Sequence, residues 1–262
     1  MKILFVYHHS FPRFWQDGLW AAMQEMSGIH DVSWLNLDSD YNTFDASKYN
    51  WVIGWGAFGS PADNYCKEIT GIKKALLLGG NATPIPAHAE DYNIIFYETD
   101  WIKKNYISSV KTRLVKAFGI NTNIFEKLEL DKIWDYLSVG AFAYWKHHEM
   151  LADKFGNKIC IGEIQRDNMR ESMDIITQLL KNNVAVSGMI EPEMLAKFYN
   201  MSNTVYVPAD VNGGGERTVL EARACGCKIE IENNEKLQEL IDGPIYTHID
   251  YFNSLNTALC EP

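Results

Sequence analysis

The sequence predicts an α/β protein of two lobes, each built on a parallel sheet, with a cleft between them. Three observations carry that expectation. Short apolar runs of strand length alternate with stretches of helical spacing, and parallel strands need crossover connections of that kind. The alternation lapses over residues 103–134 and then restarts, which calls for two sheets rather than one. The chain has 262 residues, and two halves of about 100–150 residues each are a common domain size.

In the first lobe, residues 1–110, the run 3–7 (ILFVY) is continuously apolar, as a strand buried on both faces requires. Residues 8–16 read as a loop and 18–26 as a helix. Strands are expected at 32–37 and 51–55, a helix at 62–69, and strands again at 74–78 and 94–97. Residues 103–134 read as a connection. Lys103, Lys104, Lys111, Arg113 and Lys116 fall in it, with no acid among residues 103–116.

The second lobe, residues 111–262, begins with a strand at 136–142, a helix at 149–155 and a strand at 158–162. A helix at 169–180, a strand at 184–187, a helix at 193–200 and a strand at 204–208 follow. A helix at 216–224 and a last strand at 228–231 complete the alternation, with a C-terminal segment free to return to the first lobe.

Composition narrows the function classes. Hydrophobic residues make up 47% and charged residues 22%, the balance of a globular chain and not of a disordered one. Net charge is −10, and the acidic excess is shared, 12 acids against 8 bases before residue 110 and 22 against 16 after it. A general polyanion binder is a poor fit to that balance. No run approaches the roughly 18 apolar residues of a membrane span, and the N-terminus lacks a signal-peptide pattern. Five cysteines without a CxxC pair suit a reduced, cytoplasmic setting.

Open α/β sheets bind ligands beyond the carboxyl ends of their strands, so the loops after strands are the segments to search. The most specific is residues 212–226, NGGGERTVLEARACG, which follows a strand and opens a helix. Successive glycines let backbone N–H groups approach a ligand, and a helix N-terminus favours negative charge. Glu221, inside that helix, can accept two hydrogen bonds from a vicinal diol such as a ribose. A glycine-rich turn beside a solvated glutamate is the plainer reading of the same residues.

The run 213–226 resembles the donor-binding loop of the GT-B-fold glycosyltransferases, specifically the large retaining family (group 1, family 4-like) that takes nucleotide sugars. Three further segments match in order. Residues 118–125 (FGINTNIF) look like that family's passage into the second lobe, and 139–146 (VGAFAYWK) like its phosphate-binding strand and loop. Residues 188–190 (GMI), with Leu195 to Tyr199 after them, look like the base-binding loop and its helix. The resemblance implies two Rossmann-like lobes and transfer of a sugar from a nucleoside diphosphate to a hydroxyl, with retention and without a metal. The only co-substrate it implies is the nucleotide sugar, and there is no further cofactor.

Residue by residue, the resemblance gives Lys146 the place of the lysine that neutralises the donor diphosphate. An arginine often precedes it, where this chain has Ala141; Arg217 or a first-lobe residue is a candidate to supply the missing charge. Glu221 matches the second glutamate of the family's pair. The first falls on Gly213, with Glu216 three residues on as a substitute. Backbone amides of Gly214, Gly215 and Glu216 then face the donor, with Thr218 in the same helix turn, and Met189 and Ile190 flank the base. In the first lobe, Gly18 matches the glycine turn that meets the phosphates. Asp17 and His9 join Lys146 as catalytic candidates, although capping the first helix is the plainer role for Asp17. His8 ends the same strand. No DxD pair stands near the donor loop; Asp38 and Asp40 have the spacing but follow a first-lobe strand.

The acceptor is expected to be a glycan or polysaccharide. Two alternatives stay open: a modified base in DNA, for which the basic run 103–116 argues, and a nucleotide-sugar-binding protein without activity, for which Gly213 argues.

Overall fold

The computed structural model describes residues 1–8, 17–39, 44–79 and 84–261. The chain divides into two compact units, one of Met1–Gly119 with Thr247–Pro262 and one of Ile120–Tyr246. The division thus falls after Gly119 and not at 110/111.

The first unit holds, in order, β1 (Lys2–Tyr7), α1 (Gly18–Ile29), β2 (Asp31–Asn36), β3 (Trp51–Gly56), α2 (Pro61–Glu68), β4 (Lys73–Leu78), β5 (Ile94–Tyr97), α3 (Asp100–Asn105) and β6 (Arg113–Lys116). Its strands lie parallel in the order β2-β1-β3-β4-β5-β6. Successive side chains of a strand point to opposite faces. Accordingly Ile3, Phe5 and Tyr7 join one core cluster while Leu4 and Val6 join the other. Both faces are buried, which is why β1 reads as an unbroken apolar run.

Residues 100–116 form α3 and β6 rather than a connection. β6 is RLVK, half charged and only four residues long, as suits a strand at the sheet's edge. Several of its basic side chains and their neighbours are engaged within the unit. Lys116 Nζ lies 3.1 Å from Asp100 Oδ2, Arg113 pairs with Glu261, and Lys103 Nζ sits 5.7 Å from the centre of the Tyr97 ring.

The second unit holds β7 (Trp134–Val139), β8 (Lys158–Ile161), α4 (Met169–Lys181), β9 (Ala185–Ser187), α5 (Pro192–Asn200), β10 (Ser202–Val207), α6 (Glu216–Ala224), β11 (Lys228–Ile231) and α7 (Glu235–Asp242). Its parallel strands run in the order β11-β10-β7-β8-β9. β7 ends at Val139 and not at Phe142, because Phe142 N–H leaves the ladder and donates to Glu163 O at 2.8 Å. Residues His148–Asp153 form a 3-10 turn where an α-helix was expected.

The chain then returns to the first unit as α8 (His248–Cys260). Thr247 and Asp250 form a reciprocal capping box at its start. Tyr251, Leu255, Ala258 and Leu259 of α8 complete the cluster of Ile3, Phe5, Met23 and Met26. Where the chain leaves and re-enters, Ile120 N–H donates to Tyr246 O at 3.0 Å.

Candidate functional site

In the second unit, β7, β8 and β9 are laid down to one side, and β10 and β11 to the other side of β7. The strand order therefore reverses between β7 and β10, the switch point at which a parallel sheet opens a crevice at its carboxyl edge. Two loops flank it: residues 140–146 after β7, and 208–215 after β10.

The glycines of the second loop have distinct duties. Gly214 and Gly215 take φ of +73° and +115°, a conformation L side chains rarely adopt. Gly213 is held by packing. A Cβ there would overlap the carbonyl oxygen of Trp145 and stand 2.7 Å from Ala209 Cβ. The two loops thus meet backbone to backbone, and the glutamate that the family resemblance expects at this position has no room. Asn234 fixes the second loop from below, donating to Ala209 O at 2.8 Å and Asp210 O at 2.9 Å while capping α7 through Leu237 N–H.

Lys146, Gly214, Gly215, Glu216, Arg217 and Thr218 come together here. A Cβ built on Gly214 would stand 3.2 Å from Lys146 Nζ and 3.5 Å from Glu216 Oε2, so both groups face the same side of the glycine. α6 starts at Glu216 with Gly215 as its N-cap and no side-chain cap. Its first N–H groups have no partner inside the helix, and the helix dipole adds positive potential. Burial holds the Lys146 ammonium down to a pKa of about 8; Glu216 opposes that shift and Arg217 and Lys236 add to it. Arg217 itself is exposed.

Two participants were not found in the sequence. Lys236 on α7 is fully buried, with Nζ 2.6 Å from Glu216 Oε1. His148 is also buried, and Ser138 Oγ lies 2.9 Å from its Nδ1. His147, with φ of +52°, turns the chain between Lys146 and His148.

Burial, with the Lys146 charge added, depresses the His148 pKa from 6.5 to about 3. Its proton is therefore taken up by the unfolded chain first, and stability is lost as pH falls from about 6.5 toward 3. The slope approaches about 1.4 kcal/mol per pH unit. Urea unfolding at pH 7 and pH 5 is expected to show a loss of about 2 kcal/mol that His148→Gln removes. An equal loss in both proteins would assign it to other groups.

Glu221 lies one turn further along α6 and is buried, its Oε2 accepting from Tyr199 OH at 3.0 Å. Desolvation and the Glu221 charge push the Tyr199 phenol well above its ordinary pKa, so it stays a donor to the carboxylate. Met189 and Ile190 follow β9, half-buried at the same edge of the sheet. β9 is two strands from β7, about 10 Å away at the usual strand spacing. Tyr144 and Trp145, beside Lys146, are 56% and 47% exposed.

The first-lobe candidates belong to the other unit. Asp17 caps α1, accepting from Trp20 N–H at 2.8 Å, and Gly18 is the buried first residue of that helix. His8 Nε2 lies 2.6 Å from Asp38 Oδ1. His9 and Asp40 lie outside the described residues.

No family model matches the chain, and no curated protein matches it in sequence. Solved structures do match in fold over nearly its whole length. Sucrose-phosphate synthase from Thermosynechococcus elongatus superposes with a TM-score of 0.66 at 14% identity, covering 100% of this chain and 90% of that one. A glycosyltransferase from Rickettsia africae gives 0.66 at 13%, covering 98% and 87%. Anabaena HepE in complex with UDP and glucose gives 0.63 at 13%, covering 100% and 90%. Two parallel α/β units in sequence, matched from end to end by these structures, give the chain the GT-B fold.

Proposed function

We propose that the protein is a glycosyltransferase that moves a sugar from a nucleoside-diphosphate sugar to an acceptor hydroxyl. The observation that carries this reading is the pairing of Lys146 Nζ with the uncapped start of α6 on one side of Gly214, at the sheet's switch point. A lysine and the N–H groups of a helix N-terminus are complementary to phosphate. The likeness to HepE, whose structure holds UDP and glucose, supports the same ligand class.

In the reaction, the bond from the sugar's anomeric carbon to the diphosphate breaks, and negative charge grows on the departing oxygen. Lys146 and the α6 amides stabilise that charge, a contribution that preorganised donors commonly make the largest in catalysis. Glu221 receives the ribose hydroxyls and Met189 and Ile190 flank the base. With retention, the acceptor approaches on the face that the diphosphate leaves, so the departing oxygen is itself within reach of the acceptor's proton. That assignment uses no metal. His9 and Asp17 are the candidates that the family resemblance offers for the acceptor.

A glycan acceptor is the better fit than DNA. The exposed rings of Tyr144 and Trp145 supply faces for a sugar to stack on. A net charge of −10, with Arg113 and Lys116 already paired to acids, opposes a phosphate backbone. The five unpaired thiols fit a cytoplasmic setting.

Calorimetric titration with UDP, GDP and ADP tests the donor site, and one of them is expected to bind selectively. Glu221→Ala removes one or two charge-assisted bonds of about 1.5–3 kcal/mol each, so affinity is expected to fall tenfold or more. No binding by the wild type would sink the reading. Unchanged affinity in a folded Glu221→Ala would sink the ribose assignment. Binding without turnover of any sugar conjugate would make the protein a nucleotide-sugar receptor instead.

A further inference from the structure

Glu216 stands in an awkward place for a site that is to hold a diphosphate. Its carboxylate and the Lys146 ammonium face the same side of Gly214, and a lysine beside a glutamate pairs with it and loses its charge to other anions. Glu216 has a second claimant. Lys236 Nζ is 2.6 Å from Glu216 Oε1, and Lys236 is 0% exposed. An ammonium out of water costs several kcal/mol unless a carboxylate compensates it. Among the described residues Lys236 Nζ makes no hydrogen bond of good geometry, so the Glu216 carboxylate is the compensation on hand.

We propose that Lys236 is a positioning residue for the anion site: by holding Glu216 through Oε1, it keeps the Lys146 ammonium available to a diphosphate. Lys146, Glu216 and Lys236 together carry one net positive charge, and without Lys236 they carry none. Lys236 is sealed off from solvent behind Glu216, so its effect passes through that carboxylate. α7 is placed for this duty by the two Asn234 bonds to the loop after β10 and by Leu237, which packs against Gly215. The charged and titratable groups around Lys146 are Glu216 and Arg217 from α6, Lys236 from α7, and His148 from the turn after Lys146.

This inference rests on the donor-site reading, and the test separates the two. UDP, or whichever diphosphate the wild type selects, is titrated by calorimetry from pH 6.5 to 9.5 into wild type, K236M, K146M and E216Q/K236M. K236M is expected to bind about tenfold more weakly, because Glu216 then turns to Lys146. The pH at which binding falls off is expected to rise, since the opposing charge of Lys236 is gone while that of Glu216 stays. Adding E216Q is expected to recover several-fold of the lost affinity.

A purely structural lysine would lower the unfolding midpoint and leave that pH unmoved, which overturns the proposal, as does K236M binding like the wild type. Should K236M not fold, the double variant decides. Binding at least tenfold tighter than K146M upholds the proposal, and binding as weak as K146M overturns it. Failure of the wild type to bind any diphosphate removes the donor-site reading and this inference with it.

Discussion

Replacing Lys146 by methionine is expected to weaken binding of the donor nucleotide between about tenfold and a hundredfold, the range for one charge-assisted bond of about 1.5–3 kcal/mol. Turnover should fall further, by about 10²–10³, because charge on the departing diphosphate is greatest in the transition state. Methionine keeps the unbranched shape and most of the length of the side chain, and the loop's packing on Gly213 is made by the Trp145 carbonyl, so the fold is expected to survive.

The wild type carries its own control. With the Lys146 pKa near 8 in the free protein, its charge is lost as pH rises above that value. A bound diphosphate raises the pKa again, so affinity is full below pH 8 and declines by up to about tenfold per unit above it. The methionine variant should show no such decline. Calorimetry at pH 7 and pH 9.5 on both proteins measures it, and parallel pH profiles would remove Lys146 from the phosphate site.

Gly213→Ala is the second large effect. The added Cβ meets the Trp145 carbonyl oxygen and Ala209 Cβ, both parts of the two loops that make the site. Overpacking against backbone costs about 1–3 kcal/mol or more, since backbone cannot turn away as a side chain does. A thermal midpoint several degrees lower is therefore expected, with Lys146 displaced and donor affinity reduced. Gly213→Glu, which writes in the glutamate that the family resemblance expects, should be worse than alanine and not a gain of function. A glutamate variant of wild-type stability that binds donor more tightly would show that the two loops can part.

What could be read in the sequence follows the physics of each element. β1, β3, β4 and β5 are buried on both faces and so appear as plain apolar runs, and α6 begins where its glycines end. β6 was hidden because an edge strand tolerates Arg113 and Lys116, which made it look like a basic linker. α7 was hidden because the sequence around it, ENNEKLQELID, is polar, and its buried Leu237 and Leu240 are too few to mark a helix. Lys236 went with it. A lysine normally signals solvent, and nothing local marks one whose counterion is twenty residues upstream. Gly213 illustrates the same limit: the sequence shows an absent glutamate, and only the fold shows the Trp145 carbonyl in its place.

The return of α8 has a consequence for how the molecule is made. The first unit takes Tyr251, Leu255, Ala258 and Leu259 into its core, yet a ribosome delivers these only after the whole of the second unit. All of Ile120–Tyr246 emerges before them. The second unit, continuous in sequence, has every residue it needs while synthesis is still under way. The first must wait with the part of its sheet beside α1 uncovered, an apolar strip about one helix wide that the nascent chain presents to chaperones until α8 emerges.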